Sequence, residues 1–486
     1  MQNDSQDLGR FGYAQELFRS MGGFSNFAIS FSIISILTGA VTLYGYGLEM
    51  GGPLEMTLGW PIATFFTLAL AASMAELCSA YPTSGAMYHW TIALAADTRS
   101  GPGWGWFVAW LNIIGGIAIQ AGINYSCAQF ILPLTGYEAS ATNIYLVFAI
   151  TLLMHGALNH TGVKLIAILN DMSVAVHIAG VAVVVGLVFC FAPTQPLSFL
   201  TQGVNSNGRS PYWWCFLLGL LQAHWTYTGF DASAHMAEET ENPRTKAPWG
   251  IMLSVAVSGV VGYALILALT LAIRSLPEVL QAKDAGGNAI PPAIAVMQQA
   301  LGAKMGNTMA ALASIAMWFC GLSCLTSTSR AVYALARDNG MPLSGFFRRV
   351  NPKHGTPGPA IWLLVIASGV AMIWTGAIPV VTSLGTVATY ICYIIPVTFG
   401  LRARLNGSRW TELAEWRLGK WGVLVNVVAV VYTSFICVVL IMPPNELAGK
   451  TLFGLVVMLL CIYFADVKKN FVAPSWAHAN SKDSLN

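Results

Sequence analysis

Two stretches decide the fold of this chain: residues 30–48, SFSIISILTGAVTLYGYGL, and residues 220–235, LLQAHWTYTGFDASAH. Each belongs to an apolar run, and each carries a Thr-Gly pair in its middle, Thr38-Gly39 and Thr228-Gly229. A helix that crosses a bilayer must satisfy its own backbone hydrogen bonds, so irregular backbone is tolerated there only where protein packs around it or it lines a cavity. The two pairs therefore predict a membrane bundle in which two helices are broken at comparable depth.

The composition of the whole chain agrees with a membrane protein. Of its 486 residues, 56% are hydrophobic and 9% are charged, whereas soluble domains carry about 25% charged residues. The mean hydropathy is +0.62. This composition excludes soluble enzymes, nucleic-acid-binding proteins and disordered proteins, and the net charge of +3 is too small to indicate a polyanionic partner.

Apolar runs between charged or Gly/Pro-rich breaks predict about twelve spans of an all-α polytopic protein. The expected limits are 24–48, 57–79, 103–133, 143–160, 165–191, 212–236, 248–273, 307–336, 358–375, 379–401, 421–442 and 450–466. The less apolar stretch 276–306 is expected to form a long loop with a short amphipathic helix. The nine cysteines lie mostly in apolar runs without metal-ligand spacing, so we expect no disulfide framework, no metal and no cofactor beyond a coupling H⁺ or Na⁺.

The distribution of basic residues predicts the orientation. With a cytoplasmic N-terminus, most Lys and Arg residues fall on the cytoplasmic side, as the positive-inside rule requires. The exceptions are Arg209, Arg274, Lys283, Lys304 and Lys450. We therefore expect both termini to be cytoplasmic and the protein to lie in a plasma membrane or a bacterial inner membrane.

Paired interruptions in two halves of a membrane protein are typical of a transporter binding site. A broken helix has free N–H groups and a positive dipole end, which suit a carboxylate at the midplane. The alternative is that Gly39 and Gly229 only allow close helix packing. The presence of both breaks, with Asp231 beside the second, favours a site.

Ionisable side chains inside a span are costly and mark functional hypotheses. His177 lies in the middle of the fifth span among aliphatic residues. Either it carries a coupling proton, or it is neutral and hydrogen-bonded to a backbone carbonyl. Asp231 either binds a cation or an amine, or it caps the half-helix that follows it.

Polar and aromatic side chains near the breaks are further candidates. Hydroxyls of the eighth span can coordinate sodium, although such hydroxyls more often bond to carbonyls of their own helix; they are Ser323, Thr326 and Ser327. Aromatic rings near the breaks are candidates for gates or a cation–π wall, against ordinary packing; they are Tyr44, Trp225, Tyr227 and Phe230.

Acidic residues close to the ends of two spans are expected to form ion pairs at the cytoplasmic face. They are Glu76, Glu238, Glu239 and Glu241, and their expected partners are Arg330 and Arg337. Asn170 and Asp171, near the start of the fifth span, are expected to form a gate or a hydrogen bond between helices.

Three separated motifs resemble the amino acid–polyamine–organocation superfamily: AELCSAYPTSGAMYHW (75–90), WTYTGFDASAHMAEETENPR (225–244) and SRAVYALARDNGMP (329–342). Residues 30–48 and 229–240 are most similar to its amino acid/choline transporter branch, which includes GABA permeases. The resemblance covers roughly residues 10–470. It implies the leucine-transporter fold, with two inverted repeats of five spans and two appended spans.

On this resemblance the chain divides into a cytoplasmic N-terminal segment, two repeats, the two appended spans and a cytoplasmic tail. These segments are 1–23, 24–191, 212–401, 421–466 and 467–486. The resemblance implies that the first break binds the substrate carboxylate through its amides and that the second supplies an aromatic gate. The matching residues are Thr38, Gly39, Ala40, Tyr227, Thr228, Gly229 and Phe230.

The resemblance also aligns His177 with a lysine that replaces a sodium ion in proton-coupled bacterial relatives. The sequence departs from the lysine pattern here, which makes His177 the residue to test for coupling. Together these features favour a secondary active transporter for a small amino acid or GABA-like zwitterion, by proton symport or exchange.

Other interpretations stay open beside this one. Choline or another quaternary amine is the alternative substrate, and a transporter-like receptor is the alternative class. An ion channel would not need paired breaks, and an integral-membrane enzyme should have a catalytic cluster that the scattered histidines do not form. We expect a small-molecule substrate and contact with membrane lipid, with no nucleic acid and no obligatory protein partner.

Overall fold

The computed structural model describes residue 9, residues 11–95, 100–284, 286–375 and 378–471, and residue 474. Within these residues the chain is mostly helical, and its β-type pairing is limited to isolated bridges. Ten helical segments in this part of the chain are long and apolar enough to cross a membrane. The helix Gly358–Thr375 and the interrupted stretch 212–235 complete the twelve expected spans.

The helices are numbered here in chain order. They are α1 (Gly23–Ile34), α2 (Ile36–Thr42), α3 (Tyr44–Leu54), α4 (Trp60–Ala80), α5 (Met87–Leu94), α6 (Gly101–Thr135), α7 (Ala141–Thr161), α8 (Val163–Phe191), α9 (Tyr212–Gly219), α10 (Leu221–Thr226), α11 (Ala232–His235), α12 (Pro243–Leu271), α13 (Leu276–Leu280), α14 (Pro292–Leu301), α15 (Ala303–Arg337), α16 (Ser344–Phe347), α17 (Gly358–Thr375), α18 (Ile378–Leu405), α19 (Gly422–Leu440), α20 (Glu446–Ile462) and α21 (Lys468–Asn470). Short π or 3₁₀ segments lie at Glu55–Gly59, Leu197–Thr201, Ala237–Glu239, Trp410–Leu413, Gly419–Trp421 and Tyr463–Val467.

The first span, α1 to α3, is interrupted three residues earlier than the Thr-Gly pair predicts. Ser35 adopts a left-handed conformation with φ 39° and ψ 84°, and α2 begins directly after it. Serine can leave the helix here because its side chain forms hydrogen bonds of its own. Thr38, Gly39 and Ala40 lie inside the short helix α2, so the expected break at Thr38-Gly39 is wrong in position.

The sixth span is interrupted where the sequence predicts. Helix α10 ends at Thr226, α11 begins at Ala232, and the residues between them form an irregular turn. Gly229 in this turn has φ 88°, a value that residues with a side chain rarely adopt. The turn therefore depends on glycine at this position.

The remaining boundaries agree with the expected spans to within several residues. The loop 276–306 contains two short helices, α13 and α14, where one was expected. Helices α6 and α15 have 35 residues each and pack against one another beside the breaks, and α18 packs along α6. The limits of the repeats remain predictions, and much of the terminal segments (1–8, 10, 472–473 and 475–486) lies outside the described residues.

Candidate functional site

The two breaks lie against each other in the middle of the bundle. A Cβ atom added to Gly39 would lie 2.6 Å from the Cα of Thr226, so α2 and α10 are in close backbone contact. Side chains satisfy the carbonyls that the breaks release: Gln222 Nε2 donates to the Ala40 carbonyl at 2.9 Å, and Ser30 Oγ donates to the Phe230 carbonyl at 2.9 Å. The irregular backbone is therefore packed by protein, as the bilayer requires.

The amides of the first break converge on one oxygen. The N–H groups of Thr38 and Gly39 both donate to the Ser35 carbonyl, at 2.7 Å each. Both amides are therefore already paired, and they can meet another acceptor only if the Ser35 carbonyl turns away.

His177 lies directly at the first break. Its Nε2 is 2.5 Å from Ser35 Oγ, its Nδ1 is 2.7 Å from the Ser173 carbonyl, and the Ser35 hydroxyl also contacts the Thr38 hydroxyl. Because a carbonyl only accepts, we assign a proton to Nδ1, and Nε2 of the neutral ring accepts from Ser35. The imidazole is fully buried.

Tyr393, which was not predicted from the sequence, forms hydrogen bonds with the second break. The Gly229 N–H donates to the Tyr393 hydroxyl at 3.2 Å, and that hydroxyl donates to Asp231 Oδ1 at 2.5 Å. Asp231 makes no side-chain cap on α11, so its capping role is wrong. The visible sequence signal was a pair of tyrosines, Tyr390 and Tyr393, inside an apolar span.

A small cavity of about 20 Å³ lies beside the second break. Three predicted residues line it, Gly229, Asp231 and Ser327. The other lining residues are Ile33, Asn112, Gly116, Ile119, Cys324, Thr328, Thr389 and Tyr393. This volume suits about one water molecule, so a substrate needs side chains to move before it can enter.

The other predicted residues of the second break do not line this cavity. The Tyr227 hydroxyl lies 2.5 Å from Thr64 Oγ1, so its ring points towards α4, whereas Phe230 packs on Tyr393 with ring centroids 4.8 Å apart. Thr228 Oγ1 donates to the Trp225 carbonyl at 2.8 Å. Phe230 therefore contacts a residue of the cavity wall, Tyr393, whereas Tyr227 is turned towards Thr64.

The hydroxyls of the eighth span, α15, do not converge on one point. Ser323 Oγ lies 2.5 Å from Asn170 Oδ1 and 2.9 Å from the Phe319 carbonyl. Thr326 Oγ1 similarly contacts Asn159 Oδ1 at 2.6 Å and the Leu322 carbonyl at 2.8 Å. Both therefore bond to their own helix and to a neighbouring one, and the helix-to-helix hydrogen bond expected for Asn170 is confirmed.

A vestibule of about 790 Å³ opens at one end of the bundle, and the Trp225 ring packs against α6 at a level between this vestibule and the cavity. Along α6, Gly116 and Ile119 line the cavity, a Cβ on Gly122 would lie 3.1 Å from the Trp225 ring, and Tyr125 lines the vestibule. Ile119, Gly122 and Tyr125 follow one another at intervals of three residues, which correspond to about 4.5 Å along the helix axis at 1.5 Å per residue. We call this end of the bundle the vestibule end.

Buried ion pairs close the opposite end, called here the ion-pair end. Arg330 pairs with Glu239 at 2.7 Å and Arg337 with Glu238 at 2.9 Å, as the sequence predicts. Glu76 pairs instead with Arg404 and Glu241 with Lys246, so Arg330 and Arg337 are the wrong partners for those two carboxylates.

The two carboxyls of these pairs differ in their electrostatics. Burial favours a raised pKa for the Glu238 carboxyl, but the Arg337 guanidinium, with its hydrogen bonds, lowers that pKa below the usual value. For Glu239, burial raises the pKa and Arg330 offsets only part of the effect. The Arg337–Glu238 pair is therefore the more firmly charged of the two.

The segment before α1 lies across these ion pairs. The Tyr13 hydroxyl donates to Asp338 Oδ1 at 2.9 Å, and the Arg337 guanidinium lies 3.7 Å from the centroid of the Tyr13 ring. Gln15 Nε2 donates to the Glu238 carbonyl at 2.9 Å. The N-terminal segment is therefore in contact with both members of the Arg337–Glu238 pair.

These features define an integral, multi-pass membrane protein with two interrupted spans, closed on both sides of a central cavity. The chain matches the amino acid permease family over residues 21–465. It is 36% identical to "Amino-acid permease BAT1 homolog" of Oryza sativa subsp. japonica, over 90% of this chain and 87% of the relative. It is 33% identical to "Amino-acid permease BAT1" of Arabidopsis thaliana, over 96% of this chain and 95% of the relative.

A further relative is the "GABA-specific permease" of Saccharomyces cerevisiae, 29% identical over 92% of this chain and 80% of the relative. The chain belongs to the amino acid permease family, within the superfamily that its motifs resemble. It is a membrane transporter of amino acids and not an enzyme.

Proposed function

We propose that this permease carries a small amino acid or a GABA-like zwitterion by secondary active transport with alternating access. The observation that carries the proposal is the contact between the two breaks, Gly39 against Thr226, beside a small cavity with Trp225 on its vestibule side and buried ion pairs on its other side. A site with two separate closures can be opened to one side at a time.

The carboxylate and the amine of the substrate would bind to different parts of the site. Its carboxylate would replace the Ser35 carbonyl as the acceptor of the Thr38 and Gly39 amides, and Ala40, which follows them, would complete this wall. Its amine would approach Asp231 between Phe230 and Tyr393. Movement of Trp225 would join the cavity to the vestibule and supply the volume that a substrate needs.

The coupling ion in this proposal is a proton held by His177. When Nε2 is protonated it donates to Ser35 Oγ, so the Ser35 hydroxyl must turn its own proton away from the ring. Protonation thus changes the hydrogen bonds at the first break. Sodium is less favoured because Ser323 and Thr326 already bond to asparagines and to helix carbonyls.

A quaternary amine such as choline is the second candidate substrate. It is supported by the acidic and aromatic character of one cavity wall, where Asp231 and Tyr393 both line the space. A receptor without turnover would use the same pocket. We also propose that both termini lie on the cytoplasmic side of the membrane.

Ligand-induced thermal stabilisation of the purified protein tests the substrate class. The panel holds standard amino acids, GABA, β-alanine, choline and betaine, because a ligand of the folded state stabilises it by about 2.7 kcal/mol at a hundredfold excess over Kd. Stabilisation by carboxylate-bearing amines, followed by their uptake into proteoliposomes, is the expected result. Stabilisation by choline alone would favour the second candidate, and binding without uptake would favour a receptor.

A further inference from the structure

A carboxyl group outside the proposed substrate site is enclosed in the vestibule half of the bundle. Glu55 is the first residue of the π-helical segment Glu55–Gly59, which follows the kink at Gly52-Pro53. Its side chain is 1% exposed, and neither carboxyl oxygen has a hydrogen-bond partner among the described residues. Single π-helical turns often lie at functional sites.

Four glycines make the space for this carboxyl. A Cβ on Gly47 would lie 2.6 Å from Oε2, one on Gly59 would lie 2.7 Å from Oε1, and one on Gly219 would lie 2.8 Å from Cγ. A Cβ on Gly51 would also meet the Glu55 side chain. Gly47 and Gly51 belong to α3 and Gly219 to α9, so Glu55 is enclosed by the vestibule halves of both broken spans.

In the described part of the chain, no titratable group on the surrounding elements pairs with the ionised form of Glu55. The Tyr44 hydroxyl contacts Thr270 Oγ1 at 3.1 Å, and the Tyr212 hydroxyl donates to the Gly51 carbonyl at 2.7 Å. The other groups on the neighbouring elements are Tyr46 and Glu49 of α3, Cys215 of α9, Tyr263 of α12 and, before α9, the exposed Arg209. Arg209 is the one cation in this set, and it forms no ion pair with Glu55 in the described part of the chain.

An unpaired carboxylate buried in this way is costly, whereas the neutral acid is much less so. We propose that Glu55 is a proton-binding site that is loaded when the vestibule end closes. The carboxylate takes one proton from vestibule water as α3 and α9 close around it, and it returns that proton when they separate and water reaches it. This inference rests on the alternating access of the proposed function, but it concerns a different group from His177.

Thermodynamic linkage between proton binding and closure gives the direction of the pH effect on exchange. The closed state binds one more proton at Glu55 than the open state, so acid favours closure of the vestibule end and slows exchange. Glu55→Gln, a neutral residue of the same shape, should remove this contribution to the acid dependence and leave any contribution of His177. Glu278→Gln, which changes an exposed carboxyl of α13, should leave it as in the wild type.

The test combines infrared titration of the purified protein with exchange of radiolabelled GABA in proteoliposomes. At neutral pH the wild type and Glu278→Gln should show a protonated-carboxyl C=O band that Glu55→Gln lacks. An unchanged band in Glu55→Gln, or an unchanged acid dependence of exchange, would overturn the inference. If Glu55→Gln exchanges too slowly, Glu55→Asp should shift the pH profile instead, and an unshifted profile counts against the proposal.

The two proposals fail in distinguishable ways. If the wild type does not exchange GABA or any other amino acid, the proposed function fails, while the infrared band still decides the protonation of Glu55. If exchange occurs but the Glu55 variants behave as the wild type, the proposed function stands and the inference is wrong.

Discussion

The Nε2 atom of His177 lies 2.5 Å from the hydroxyl oxygen of Ser35, so the buried histidine of the fifth span is bonded to the residue at which the first span breaks. The contact links a titratable ring directly to the side chain of a residue whose backbone leaves the helix. Protonation of His177 therefore changes a hydrogen bond of the residue at which the first span breaks.

Replacing His177 by glutamine tests its coupling role. Glutamine keeps a donor and an acceptor for Ser173 and Ser35 but does not titrate, so we expect accumulation driven by a pH gradient to be lost while exchange continues. His177→Ala should lose accumulation as well. The control is His155→Gln, which changes another fully buried histidine, on α7. Wild-type accumulation in His177→Gln would show that the histidine is only a neutral hydrogen-bonding residue.

Gly39 is expected to tolerate no larger residue. A Cβ there would lie 2.6 Å from the Thr226 backbone, so Gly39→Leu should separate the two breaks. Overpacking costs about 1–3 kcal/mol of folding stability, and the displacement of α2 from α10 should also weaken substrate binding. Substrate affinity in the thermal assay measures the effect.

The matched control for this change is Gly186→Leu on α8, where an added Cβ meets nothing within 4 Å. It should leave both stability and affinity close to those of the wild type. If Gly39→Leu binds substrate with normal affinity, then contact between the two breaks is not needed for the site.

The sequence predicted the number of spans and the second break because both depend on local properties, apolar length and a glycine with positive φ. It misplaced the first break because Ser35, the residue at the break, has its hydrogen-bond partner His177 142 positions away, and such a contact is not visible in the local sequence. Tyr393 and Glu55 were missed for a similar reason. Their roles depend on neighbours from other spans, Asp231 for one and Gly219 for the other.

Trp225 should control access from the vestibule to the cavity. Cys324 lines the cavity and is 3% exposed, so it serves as a native reporter. Trp225→Ala should make Cys324 react with a membrane-impermeant thiol reagent, as measured by peptide mass mapping, because the indole ring that packs against Gly122 is removed. Trp225→Phe should give a smaller increase, and Cys324→Ser supplies the background. Unchanged protection of Cys324 in Trp225→Ala would assign the barrier to another side chain.

Removing one member of the Arg330–Glu239 pair should destabilise the protein much more than replacing both members by neutral residues. Both side chains are at most 1% exposed, so Arg330→Leu leaves a buried carboxylate without its partner and should lower the stability by about 3–5 kcal/mol. Arg330→Leu combined with Glu239→Gln should recover much of that loss, because no unpaired charge remains. Lys246→Gln breaks an exposed pair with Glu241 and should cost less than about 1 kcal/mol. Thermal unfolding in detergent measures all three, and equal losses in the single and double variants would mean that the pair acts through packing and not through charge.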